Sequence, residues 1–358
     1  MPVSCLEPKT PSRALRAACL LFGLCVAPLS SHAEDRIEGL FFPSVTAIHR
    51  SGLPQNDELK ANQIIPSLDM LVIGSHGPVS WLAEIFVSER EHELARLSGG
   101  WRSGDTLLSV GKFHNLQGYW NTQFHHGAYL QTTIDKPGMV EDSAPLPLHY
   151  VGAQIEGKLS QWGEGLLNYS IGVGKGSVMQ DKLESPDIVG PGKFGDLSLG
   201  LRLSYTLDEI SPTQVGTFFA HNKIPVKNND WIGITQDIGG LFGNWESDPF
   251  RVIGELYAFS HKLEGSGATD SGSFLYGYVQ GEYRFAPHST AFARIEETSG
   301  AHLDPLLAFL PDFALDKHLI GLRYDVTRNQ SVKIEASRVK RMDAGFRQLQ
   351  IQWSAVFP

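Results

Sequence analysis

The last strand-like stretch of this chain constrains its fold more than any other feature. Residues 348–357 read Q-L-Q-I-Q-W-S-A-V-F, and apolar and polar side chains alternate through most of this stretch. Because side chains of a strand point to opposite faces in turn, Leu349, Ile351 and Trp353 share one face and the glutamines share the other. Such a strand fits a sheet with one face against a core or lipid and the other face in water.

Alternation of the same kind recurs along the chain and predicts about sixteen strands, within a range of about 14–18. Many of these runs reach ~10 residues, the length of a tilted membrane strand, whereas soluble strands average about five or six residues. The predicted strands span residues 37–48, 67–75, 79–89, 93–101, 106–113, 148–161, 164–175, 195–206, 212–221, 231–245, 250–261, 272–285, 289–297, 316–326, 331–340 and 346–357. The predicted fold class is therefore all-β, a transmembrane antiparallel β-barrel.

The N-terminus has the pattern of a cleaved secretory signal. A basic start with Lys9, Arg13 and Arg16 precedes an apolar run over residues 17–29. Ser31-His32-Ala33 then provides a small-x-small cleavage site. The alternative, a transmembrane anchor, is disfavoured because the apolar run is shorter than the ~20 residues of a helical span. We expect residues 1–33 to be a signal peptide and residues 34–358 to form the barrel.

Composition excludes several kinds of site and partner. All three cysteines (Cys5, Cys19 and Cys25) lie in the predicted signal, which leaves the mature chain without disulfides, cysteine catalysis or cysteine metal sites. The net charge of −9 argues against nucleic acid as a partner, since nucleic-acid binding needs a basic face. An exported chain of this length could instead form two soluble domains, but no Pro-, Ser- or Gly-rich linker separates two halves.

The links between the predicted strands alternate between short and long. Short links follow the even-numbered strands, and most of the long links follow the odd-numbered strands: 49–66, 114–147, 176–194, 222–230, 262–271 and 298–315. Two odd links, 90–92 and 341–345, are short. Aromatic residues fall at the short-link ends: Trp81, Trp101, Trp162, Tyr205, Trp245, Phe285, Tyr324 and Phe357. One aromatic rim favours a membrane barrel, with its interfacial aromatic girdle, over a soluble sandwich or solenoid.

The chain also resembles the Gram-negative outer-membrane porin superfamily. The likeness rests on the segment 321–325 (G-L-R-Y-D), on 333–335 (K-I-E) and on the terminal strand. Residues 111–113 (G-K-F) and 118–121 (G-Y-W-N) are distantly similar to phosphate-selective porins, although the many lysines expected of that group are missing. The terminal aromatic residue is followed by Pro358, a departure from the family pattern. The resemblance implies short periplasmic turns, long extracellular loops, an outer-membrane location and a homotrimer.

A barrel of sixteen strands is too wide for its own side chains to fill, so water is expected inside. The polar strand faces supply the predicted pore lining, in which cations and anions nearly balance. The predicted lining residues are Arg202, Arg251, Glu255, Glu282, Arg284, Arg294, Glu296, Arg323, Asp325, Lys333 and Glu335. These charges either set an ion preference across a constriction or pair along the wall and hold its shape.

The longest loop, 114–147, is expected by resemblance to fold inward and narrow the channel. Its first half is rich in imidazoles and aromatic rings: His114, Tyr119, Trp120, Phe124, His125, His126 and Tyr129. These side chains either contact a passing solute or pack the loop against the wall. A zinc or copper site with His149 is the other interpretation, but adjacent histidines are a weak ligand pattern. We predict no metal and no cofactor.

Three functions remain open at this stage. The first is a porin for passive, weakly selective diffusion of small hydrophilic solutes or ions. The second is a surface-binding barrel whose loops grip a ligand or partner. The third is a barrel enzyme, for which His261 near Glu264 is an example of a candidate pair without distinctive spacing. We predict that the chain is not an enzyme. The apolar loop 298–315 either packs on the chain itself or contacts a partner.

Overall fold

The computed structural model describes residues 36–358 except 56, 58, 90–91, 125–126, 142, 190–192, 208–211, 228–230, 266–268 and 343. The predicted signal peptide therefore lies outside the described residues. The strands are β1 (Arg36–Ser51), β2 (Asn62–His76), β3 (Val79–Ser88), β4 (His92–Ser103), β5 (Thr106–His114), β6 (His149–Trp162), β7 (Gly165–Lys175), β8 (Val178–Met179), β9 (Leu183–Glu184), β10 (Leu197–Thr206), β11 (Gln214–Pro225), β12 (Trp231–Ser247), β13 (Phe250–Gly265), β14 (Thr269–Ala286), β15 (Ser289–Ser299), β16 (Asp316–Thr327), β17 (Gln330–Lys340) and β18 (Gly345–Ala355).

Sixteen of these strands form one closed antiparallel barrel in sequence order, and β1 pairs with β18 to close it. The exceptions are β8 and β9, which make a separate two-stranded hairpin inside the link between β7 and β10. The predicted antiparallel barrel of about sixteen strands is confirmed. Closure leaves no unpaired strand edge, as lipid requires.

Alternation along each strand sorts side chains between lipid and the interior. On β17, Val332 and Ile334 face outward and are about two-fifths exposed, whereas Lys333 and Glu335 face inward and are at most 1% exposed. The predicted rim of aromatic residues also faces outward, with Trp101 and Trp162 among the most exposed. The outer surface is therefore an apolar band with aromatic side chains near the short-turn end, as in barrels that span a membrane.

The turns at one end of the barrel are tight. The links at Gly77, Gly104 and Gly163 place each glycine at φ between 56° and 63°, a left-handed conformation that costs glycine little. At the other end the predicted long link 262–271 is wrong. β13 continues to Gly265 and β14 begins at Thr269. The alternation of exposed and buried residues continues in polar residues beyond the apolar band, so both strands are longer than predicted.

Two loops fold into the barrel. The first, called here the inner loop, comprises residues 115–148 and contains the short helix α1 (Trp120–Gln123) and a 3₁₀ turn (Gly138–Val140). The second loop comprises residues 300–315 and contains the 3₁₀ turns Ala301–Leu303 and Leu307–Phe309. Across the described residues, every helical segment is too short or too polar to span a membrane.

Both loops pack on an apolar patch of the inner wall. β11 to β14 present aromatic and aliphatic side chains inward, including Phe218, Tyr257, Phe259 and Phe274, each at most 3% exposed. Leu306 and Leu307 of the second loop are fully buried against this patch. Self-packing of the apolar loop is thus confirmed. One side of the barrel interior is a solid hydrophobic core rather than a wet lumen.

Candidate functional site

The inner loop is held by cations of the wall that donate to its backbone carbonyls. Lys333 Nζ donates to the carbonyl oxygens of Ala128 at 2.6 Å and Thr133 at 3.2 Å. Arg294 donates to those of Asp135 and Lys136 at 3.0 and 2.8 Å. Two further arginines act in the same way: Arg323 binds the carbonyls of Tyr129 and Gln131, and Arg202 binds those of Leu116 and Gly118.

Carboxylates of the wall accept hydrogen bonds from the same loop. Glu335 accepts from the backbone N–H groups of Ile134 and Asp135 at 2.8 and 3.1 Å. Three more contacts repeat this arrangement: Trp120 N–H to Glu255 at 2.7 Å, Gly138 N–H to Glu296 at 2.6 Å, and the Thr132 hydroxyl to Glu282 at 2.8 Å. The cations of the wall bind loop carbonyls, and the carboxylates bind loop N–H and hydroxyl groups. Polar groups of the loop therefore stabilise these buried side chains in addition to any ion pairs within the wall.

The remaining predicted lining residues lie at the margins. Arg251 donates to the Tyr119 hydroxyl at 3.3 Å and stacks over Phe124, so it too contacts the inner loop. Asp325 is paired with Arg323 at 2.8 Å. Arg284 lies exposed at the short-turn rim and pairs with Asp248. Nine of the eleven predicted lining residues therefore bond to the described part of the inner loop, whereas Asp325 and Arg284 pair with Arg323 and Asp248.

The aromatic residues predicted for the constriction loop pack against the wall. Trp120 is 1% exposed and lies under the Arg294 guanidinium, 5.4 Å from its ring centroid. Tyr119 is 2% exposed and stacks near Phe242. Tyr129 lies half-buried beneath Arg323 and donates its hydroxyl proton to the Arg328 carbonyl at 2.7 Å. Tyr119 and Trp120 therefore pack against the wall in this structure.

The histidines of the predicted loop are only partly described. His114 and His149 form a cross-strand pair with ring centroids 4.9 Å apart, and both are buried. His125 and His126 lie outside the described residues. In the part of the chain that is described, no three His, Cys, Asp or Glu side chains are grouped to hold a metal ion.

The second loop is fastened by a buried hydrogen bond between side chains. His261 Nδ1 lies 2.7 Å from Asp304 Oδ2, and both side chains are inaccessible to water. The other imidazole nitrogen of His261 lies 2.9 Å from Gln236 Nε2. Glu264, the predicted neighbour of His261 in an enzyme site, faces the outside and pairs with Lys262. His261 and Glu264 lie on opposite faces of β13, so they do not form a joint site.

The inward face of β3 to β7, called here the open sector, differs from the rest of the wall. Its cross-strand pair Glu84 and Arg96 is joined at 2.6 Å, and the Arg96 side chain remains 26% exposed. By contrast, the pair Arg294 and Glu296 on β15 is 0% exposed. Glu84 and Arg96 are not among the residues that the sequence predicts to line the pore. Further inward groups of the open sector, all partly exposed, are Ser98, Arg102, Gln154, Glu156 and Lys158.

A cavity of about 370 Å³ lies between the open sector, the inner loop and residues 182–187. Its lining includes the pair Lys112 and Glu93, joined at 2.8 Å, together with Lys136 and Glu141 of the inner loop. Burial raises the pKa of Glu141, and the hydrogen-bonded Lys317 ammonium opposes that shift. The cavity thus carries closely spaced charges of both signs.

Strand parity alone would have revealed the inward pair of the open sector. Glu84 and Arg96 occupy positions that alternate with outward Ile85 and Leu97, both of which are exposed to the lipid side. Because the alternation is a local pattern, it assigns a face to each residue without knowledge of the loops.

Comparison with known proteins gives matches of structure only. No family model and no curated protein matches this sequence. An anion-selective porin from Comamonas acidovorans has a TM-score of 0.60 at 9% identity, over 90% of this chain and 100% of the porin. OmpT, an outer membrane protein of Vibrio cholerae, has a TM-score of 0.56 at 9% identity, over 93% of this chain and 99% of that chain.

The outer membrane channel DcaP of Acinetobacter baumannii is similar to a comparable degree. Its TM-score is 0.55 at 11% identity, over 93% of this chain and all of the channel. At such low identity the matches establish the fold and not the solute. With its sixteen-strand closure, apolar outer band and inward loop, the chain has the fold of the bacterial outer-membrane porins.

Proposed function

We propose that this chain is an outer-membrane porin, a channel for passive diffusion of small hydrophilic solutes or ions that is narrowed by the inner loop. The observation that carries the proposal is the asymmetry of the interior. Buried charges on β10 and on β13 to β17 bind the inner loop, whereas the open sector keeps partly exposed polar groups. Solutes would pass between the inner loop and β3 to β7.

Weak charge selectivity follows from the composition of that passage. Arg96 is matched by Glu84, and Lys112 is matched by Glu93. Paired charges of opposite sign leave little net field, and a ring of one sign is what would impose an ion preference. The predicted channel therefore favours neither anions nor cations strongly.

Conductance in planar bilayers tests this function. The full chain, purified in detergent and refolded, should give stable single-channel currents and a reversal potential near zero across a salt gradient. Heat-modifiable migration on gels verifies that each preparation is folded. A folded barrel that passes no current would contradict the channel function.

A surface-binding barrel is the second candidate, because two loops already fill one side of the interior. Liposome swelling separates the two functions, since a closed barrel would exclude small sugars and a channel would admit them. A barrel enzyme has no comparable support, because its example pair is split between two faces of β13. Absence of enzymatic activity stays a prediction.

Export, membrane insertion and assembly complete the proposed function. We propose cleavage after residue 33, insertion into the outer membrane of a Gram-negative bacterium, and assembly as a homotrimer. Lipid around the apolar band and small solutes in the lumen are the proposed partners. N-terminal sequencing of the mature protein and its sedimentation in detergent test the cleavage and the trimer.

A further inference from the structure

Two arginines lie side by side on the outer face of the barrel, near its long-loop end. Arg338 of β17 is directly opposite Arg347 of β18, and both side chains are exposed on the outward row. Within the described residues, no salt bridge reaches either guanidinium, and the neighbouring Lys340 is paired with Asp316 at 3.0 Å. Like charges directly opposite each other destabilise a sheet, so this pair favours an external anion.

The arginine pair borders a surface groove of about 540 Å³. Arg338, Lys340 and Arg347 line the groove together with Ser51 and Phe346. His318 continues the same row on the adjacent strand, opposite Arg338. The row therefore offers a concave, polar and cationic surface on the outside of the barrel rather than in the lumen.

A second groove, which is apolar, begins at the next row of outward-facing residues, between the arginines and the short turns. Ala336 and Leu349 are opposite each other on β17 and β18, two residues from the arginines, and both line this groove of about 700 Å³. Two residues along a strand correspond to roughly 7 Å. Ile320, Ile334 and Ala293 also line the part of the groove that faces lipid. The small side chains of Ala293 and Ala336 leave a shallow depression among the larger side chains of the apolar band.

From these observations we infer that the paired arginines and the groove beneath them bind a phosphate-bearing lipid of the outer leaflet. The phosphate lies between Arg338 and Arg347, and an acyl chain lies over Ala336 and Ala293. The polarity of the patch matches a lipid, with cations at the long-loop end, where extracellular headgroups lie, and apolar surface below them. Guanidinium groups suit phosphate because they donate two parallel hydrogen bonds.

Lipid titration of the full barrel tests the inference. The barrel in neutral detergent is titrated with diphosphoryl lipid A, and with phosphatidylcholine as the neutral lipid, and bound lipid is counted by native mass spectrometry. The double variant Arg338→Gln/Arg347→Gln should bind lipid A about thirtyfold more weakly, since each of the two cations contributes on the order of 1 kcal/mol near a membrane surface. Phosphatidylcholine binding should be the same in both proteins.

Two controls isolate the effect. Arg338→Lys/Arg347→Lys keeps the charge and should retain lipid A binding to within about threefold of the original chain. Lys262→Gln removes an exposed outward cation on β13, also near the long-loop end of the barrel. This variant should leave lipid A binding unchanged. Heat-modifiable migration shows that each variant is folded.

Unchanged lipid A affinity in the folded glutamine double variant would overturn the inference. Lipid binding would also be ruled out as the role of this pair if the arginines instead hold two copies of the chain together. That outcome would appear as oligomers in lipid-free detergent that dissociate in the double variant.

Discussion

Buried charged residues of the wall act mainly as attachments for the inner loop. Glu335 shows the principle, because its two oxygens accept from consecutive backbone N–H groups at Ile134 and Asp135 while the side chain is shielded from water. A carboxylate without these donors would be desolvated at a cost, so loop and wall depend on each other. In the proposed channel, residues of this kind would shape the passage without touching the solute.

Replacing Glu335 should therefore loosen the inner loop. Glu335→Ala removes the acceptor of two backbone hydrogen bonds, each worth on the order of 1 kcal/mol, and should give larger and noisier single-channel currents. Glu297→Ala, which removes an exposed carboxylate from β15, is the matched control and should leave the currents unchanged. Identical current traces for the two folded variants would show that Glu335 does not hold the loop.

At the scale of elements, the strands follow from sequence and the loops do not. Alternation over ~10 residues and glycine at the tight turns predict the barrel strands, since both depend on local geometry. The burial of Trp120 depends on Arg294 and Tyr278, more than 150 residues away in the chain, and no local pattern encodes such contacts. Sequence does not predict the packing of the inward aromatic row of β13 either. Alternation shows which residues share a face of the strand, but not which loop packs on that face.

The second loop provides an element-scale prediction. Asp304→Ala breaks the buried pair with His261 and removes the acceptor for the Leu306 N–H, which lies 3.0 Å from Asp304 Oδ1. Leaving a buried hydrogen-bonding group without its partner costs about 1–3 kcal/mol. We expect limited proteolysis of the folded barrel to cut within residues 300–315 much faster than in the original chain.

Asp312→Ala is the control for that experiment. Asp312 belongs to the same loop and pairs with Arg341 at 2.8 Å, but its side chain is 53% exposed. Exposed pairs contribute about 0–1 kcal/mol, so the cutting rate should change little. Equal protection of the loop in both variants would contradict an anchoring role for Asp304.

The whole molecule combines a continuous lipid-facing shell with an unevenly filled interior. Alternation along the sequence predicts the shell and the inward charges, and the resemblance to porins implies the inward loop. The prediction places eleven charged residues in a water-filled lining, whereas nine of the eleven are bound to the inner loop. The predicted lining does not include Glu84 and Arg96 of the open sector, although their strand parity places them inward.

Cysteine accessibility tests the proposed passage most directly, because residues 34–358 contain no cysteine. Ser98→Cys places a thiol on the open sector, and Ser337→Cys places one on the buried inward face of β17. A negatively charged thiol reagent, added during single-channel recording, should reduce the current of the Ser98 variant and leave the Ser337 variant unaffected. Block of the Ser337 variant with no effect on the Ser98 variant would place the passage on the other side of the barrel and contradict the proposed route.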